Sequence, residues 1–105
     1  MIQESQWKVQ IRGDIRELIP GFLSNRKNDA DRLRHLIREN DFTALEELGH
    51  RLKGDGAGYG FNPIARIGKR IEQAAQNKNL SQVAECVKDL EQFLAHVEII
   101  YIESD

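Results

Sequence analysis

The sequence predicts an all-α protein, an up-and-down antiparallel four-helix bundle with a short N-terminal lead-in segment. Three observations predict it. Helix formers dominate, and apolar residues recur at helical spacing in four separate stretches. The breaks between those stretches are short and polar, and no strand-like block exceeds a few residues. The 105 residues amount to one domain, 1–105, whose 40% hydrophobic content supports one modest core.

Residues 1–13 form the lead-in. Trp7, Val9 and Ile11 alternate as in a strand, but a segment draped over one end of the bundle is the preferred reading. Asp14 with Glu17 is a capping signal for a short first turn. Pro20 cannot lie inside a helix without losing a backbone hydrogen bond, so the main first helix restarts there. Phe22, Leu23, Ala30, Leu33, Leu36 and Ile37 are its apolar stripe, and Asn40-Asp41 ends it. Asp41 caps a second helix that turns Leu45, Leu48 and Leu52 inward. Where this helix ends is open, because Gly54, Gly56, Gly58 and Gly60 occupy alternate positions. Asn62-Pro63 starts a third, with Asn as cap and an inner stripe of Ile64, Ile67, Ile71 and Ala75. Asn79 with Gln82 starts the fourth, whose inner face is Val83, Val87, Leu90, Leu94, Val97 and Tyr101.

Composition narrows the function. Fifteen basic against 17 acidic residues give a net charge of -2, which offers no electrostatic case for nucleic acid or an anionic membrane. A single cysteine, Cys86, excludes an intramolecular disulfide or a cysteine-based zinc cluster and reads as a small core residue. Met1–Gln10 has no apolar run of the signal-peptide kind, and Val97–Ile102 is too short to span a bilayer. A cytoplasmic location is expected. The glycine run fits neither Gly-x-Gly-x-x-Gly nor Gly-x-x-x-x-Gly-Lys-Ser/Thr, and no close ligand spacing marks a metal site. His35 and His96 lack matching neighbours and read as surface residues.

His50 is different. With Leu45 at zero and about 100° per residue, the inner side of the second helix centres near roughly 330°. His50 falls at about 140°, Lys53 at about 80° and Gly54 at about 180°. One outward face therefore carries an imidazole, an ammonium at i+3 and bare backbone at i+4. Neutral imidazole is a nucleophile at physiological pH and can take a covalent group on nitrogen. Lys53 suits the charge of a transferred phosphoryl group. A glycine in an exposed helical turn costs about 1 kcal/mol against alanine, which suggests that something must approach closely.

His50-Arg51-Leu52-Lys53-Gly54, followed by Gly58, Gly60 and Ile71-Glu72, resembles the histidine-containing phosphotransfer (HPt) domain family. The family's pattern is His-x-Leu-Lys-Gly, a small-residue run ending in Gly, and a helix ending in Leu-Glu. Here isoleucine precedes the acid, which is a packing difference. The resemblance covers the second and third helices by motif and the whole chain by size and helix order. It implies a bundle whose histidine accepts a phosphoryl group at Nε2 and exchanges it with an aspartate of a receiver domain. Carried over, His50 is the phosphorylated residue, Lys53 its electrostatic support and Gly54 the steric clearance. Glu72 orients the imidazole through Nδ1, and Lys69 adds positive charge. The implied partners are a sensor or hybrid histidine kinase and a response-regulator receiver domain. The protein would be a monomeric covalent carrier with no cofactor or ATP-binding apparatus of its own, and any Mg²⁺ is expected on the receiver. The alternative is a phosphorylation-independent helical adaptor that docks a partner through the same exposed face.

Overall fold

A computed structural model describes residues 7–103. Its elements are β1 (Lys8–Arg12), a 3₁₀ helix (Gly13–Leu18), α1 (Ile19–Arg38), α2 (Phe42–Tyr59), α3 (Asn62–Gln76), α4 (Leu80–His96) and β2 (Glu98–Ile102). Each helix packs against the next, and α4 closes the ring on α1, so this is the up-and-down four-helix bundle expected. Among the described residues, no helix is long and apolar enough to cross a membrane.

Local chemistry sets the helix ends. Pro20 lies in the first turn of α1, where its missing N–H is no loss. The Asp41 carboxylate accepts from the Ala44 N–H at 3.1 Å, and Asn79 Oδ1 accepts from the Gln82 N–H at 3.0 Å, so both expected caps form. The glycine run does not end α2, which continues to Tyr59 and stops where Gly60 takes a left-handed φ of 87°. The Phe61 N–H then returns to the Gly56 carbonyl at 2.8 Å, and the Phe61 ring is fully buried.

Four expectations are corrected, three at helix ends and one in the lead-in, which is a strand and not a draped segment. Asn62 does not cap α3: Phe61 holds the cap position, and its carbonyl accepts from the Ala65 N–H at 3.1 Å. Asp14 caps nothing either, because its carboxylate is taken by Arg12 at 2.6 Å. Most of all, α4 ends at His96 and does not run on to Tyr101. Val97 turns extended, and the β-branched run that follows becomes β2.

β2 is possible because β1 lies beside it. The two strands pair in parallel, Lys8 opposite Glu98 and Arg12 opposite Ile102. The alternation in the lead-in is thus that of a strand, with Val9 and Ile11 buried and their neighbours exposed. Residues 1–6 of the expected lead-in lie outside the described residues.

The core runs through all four helices and includes Leu33, Leu45, Leu52, Ile64, Ile71, Val87 and Leu90. Between Leu23 and Ala30, the α1 stripe is filled by charge. Arg26 is 8% and Asp29 9% exposed, and they pair at 2.8 Å, while Arg26 also reaches Asp55 of α2 at 3.3 Å. The Arg26 guanidinium lies over the Phe22 ring, 4.8 Å from its centre. A buried cation needs such partners to be tolerated.

Candidate functional site

The site is built where α2 and α3 come closest. A Cβ on Gly49 would lie 2.7 Å from the Glu72 N, and one on Gly68 would lie 2.5 Å from the Lys53 N. One turn further along, a Cβ on Gly56 would meet the Ala65 N at 2.6 Å. No real side chain tolerates such separations from backbone, so these glycines let the two helices touch main chain to main chain. That approach brings residues 19 and 22 positions apart in sequence into hydrogen-bond reach.

His50 stands on the outward face of α2 with its side chain 67% exposed. Its Nδ1 lies 3.0 Å from Glu72 Oε2. The other carboxylate oxygen, Oε1, accepts from Lys53 Nζ at 3.2 Å. Glu72 is itself only 16% exposed and sits one turn inside α3. The Lys53 ammonium holds its carboxyl below the usual carboxylate range; partial desolvation opposes this, and the His50 contact adds to it. An ionised carboxylate can only accept, so Nδ1 carries the proton, and in the neutral ring the lone pair lies on Nε2. Nε2 has no hydrogen-bond partner among the described residues, on a side chain that is largely exposed. The arrangement is an oriented, accessible nitrogen nucleophile with an ammonium one turn away.

The structure therefore brings His50, Lys53 and Glu72 together. Gly54 lies on the same face; a Cβ there would meet nothing within 4 Å among the described residues, and its backbone is helical. Lys69 is exposed on α3 and makes no hydrogen bond or ion pair among the described residues, so it stands outside this contact network. His35 pairs with Glu39 at 3.3 Å and His96 packs on Trp7 at 5.0 Å, both at the surface and away from the site. Cys86 is fully buried, and that burial pushes its thiol up.

Sequence reasoning missed Gly49 and Gly68. The available signal was a glycine inside a helical stripe directly before His50, and a second inside the Ile64–Ile71 stripe. Each carries the same propensity cost that drew attention to Gly54.

Comparison with curated proteins and with solved structures gave no match. Comparison with family models matched the Hpt domain over residues 17–99, most of the chain and all four helices. With the four-helix ring and an exposed imidazole held by a carboxylate, that match carries the assignment: the chain belongs to the Hpt domain family, whose role is phosphotransfer in two-component signalling.

Proposed function

We propose that the protein is a phosphorelay intermediate that carries a phosphoryl group on His50 Nε2. The observation that carries this reading is the 3.0 Å contact from Nδ1 to Glu72, which leaves Nε2 as the exposed nucleophile. In the forward step, the Nε2 lone pair attacks the phosphorus of an acyl phosphate on a receiver aspartate. The N–P bond forms, the P–O bond to the acyl oxygen breaks, and the aspartate leaves as carboxylate. Nδ1 keeps its proton, so the ring becomes an imidazolium, and Glu72 stabilises that charge. In reverse, a carboxylate attacks phosphorus and the neutral imidazole leaves.

Lys53 acts electrostatically. Its ammonium lies against Glu72 and within one turn of His50, where it can offset the charge of the phosphoryl oxygens. Gly54 leaves the approach open, and Lys69 adds positive charge nearby. The partners are a sensor or hybrid histidine kinase and a receiver domain, and any Mg²⁺ belongs to the receiver. The relay is a cytoplasmic, monomeric carrier.

The test is labelling by a kinase or a phosphorylated receiver. Wild type should take an acid-labile, base-stable label, and His50→Gln should take none. Its circular dichroism and Tm should stay unchanged, because the exposed ring contributes chemistry and not packing. Glu72→Ala should slow labelling without stopping it. Retained label on His50→Gln would sink the reading, and no label on wild type from any partner would return it to the phosphorylation-independent adaptor.

A further inference from the structure

Charge around His50 is distributed unevenly. One turn toward the start of α2 lie Glu46 and Glu47, and Gln76 donates to Glu46 at 2.9 Å. Toward α1, an open groove of about 550 Å³ that reaches His50 and Glu72 is lined by both signs, with Arg32 and Arg51 beside Glu46 and Glu47. Arg51 is also drawn toward Asp29, 3.9 Å away. Nothing on that side presents a field of one sign.

The α3 side does. Arg66, Lys69 and Arg70 are exposed along its outer face, and its single carboxylate, Glu72, is occupied by Lys53 and His50. Arg70 is neutralised by Asp89 of α4 at 3.2 Å. Arg66 and Lys69 have no ion-pair partner among the described residues. They are one turn apart, and Arg66 lies about 9 Å along the α3 axis from Glu72. On the neighbouring α2, a Cβ at Gly54 or Gly58 would meet nothing within 4 Å among the described residues. A cationic stripe thus runs from Lys53 through Lys69 to Arg66 on a chain whose net charge is -2.

We propose that the protein exchanging phosphoryl groups with His50 seats an acidic surface on this stripe, over the Gly54 and Gly58 positions of α2, and leaves the α1 side of His50 uncovered. The proposal rests on the reading of His50 as the acceptor and adds the chemistry and orientation of the partner. A carboxylate-bearing surface is attracted to Lys53, Lys69 and Arg66 and repelled by Glu46 and Glu47, so one orientation is favoured and its reverse disfavoured. A long polyanion fits less well: two free cations neutralise few phosphates, and the acidic turn before His50 lies in its path.

For the test, each protein is first charged on His50 with phosphoramidate, and transfer to a panel of purified receiver domains is timed at low and high salt. Wild-type transfer should slow as salt rises. Arg66→Glu/Lys69→Glu, both exposed positions whose helical circular dichroism is checked, should transfer at least about ten-fold more slowly at low salt and lose the salt dependence. Arg32→Glu, the same charge change on the α1 side, should transfer as wild type does. Wild-type rates in the double variant, or an equal loss in Arg32→Glu, would overturn the proposal. So would stripe-dependent binding of a fluorescent DNA duplex with transfer unaffected. A charged protein that passes its label to no receiver overturns it too and leaves the acceptor reading standing, whereas failure of phosphoramidate to label His50 removes the acceptor reading itself.

Discussion

Glycines on α2 and α3 serve opposite ends, and two substitutions separate them. At Gly54 a Cβ meets nothing within 4 Å among the described residues and the backbone is helical, so Gly54→Leu should leave Tm unchanged or raise it, by up to about 1 kcal/mol of stability. Helical side chains lean toward the N-terminus, which carries the new leucine over His50. Phosphoryl transfer from a receiver should then be severely impaired; a folded variant transferring at the wild-type rate would show that clearance is provided elsewhere. Gly68→Ala does the reverse. Its methyl would lie 2.5 Å from the Lys53 N, so α2 and α3 must part, at a cost of about 1–3 kcal/mol. The 3.0 Å link from His50 to Glu72 should loosen with it, read as a fall in Tm and a mixture of imidazole tautomers by ¹⁵N NMR. An unchanged Tm would mean that the helix contact adapts. Gly54 was legible in the sequence because its meaning depends on a neighbour four residues away. The meaning of Gly49 and Gly68 depends on another helix, which no local spacing reveals.

Between elements, α1 and α4 are tied by Arg34, whose fork donates to both oxygens of Glu91 at 2.6 and 2.5 Å. Arg34 holds the Glu91 carboxyl below its ordinary range. A carboxyl lowered in the folded state stabilises that state above its unfolded value, and the gain disappears as pH falls through the folded value. Both side chains are partly open to solvent, so the pair contributes only about 0.5 kcal/mol. Glu91→Gln should therefore lower Tm slightly at neutral pH, with the difference closing below the carboxylate range. A difference that persists in acid would assign the effect to packing. Periodicity made all four helices legible, and the caps at Asp41 and Asn79 were legible from residue type. Arg26 and Asp29 were not, because an apolar stripe does not announce that its gap is filled by a buried ion pair. Their tolerance depends on Asp55 and Phe22, one of them on a different helix.

Across the whole molecule, the bundle followed from the sequence and the small sheet did not. Val97 and Tyr101 continue the apolar period of α4, and only the presence of β1 at the far end of the chain makes an extended path better for them. The parallel pairing has a kinetic consequence. Residue 8 lies beside residue 98, so the sheet forms only after nearly the whole chain has been drawn into a ring. Loop-closure entropy grows with the length enclosed, whereas α2 and α3 meet across a single turn at Gly60. Folding should therefore begin in the α2–α3 pair, and the strands should zip last and open first. In native-state hydrogen exchange, amides of 9–12 and 99–102 that lie in the ladder should open at a lower free energy than those of α2 and α3. Equal opening energies would make the sheet part of the same cooperative unit. If they differ, His50 sits in the part of the protein that forms first and comes apart last, and the acceptor geometry outlives the closure of the chain ends.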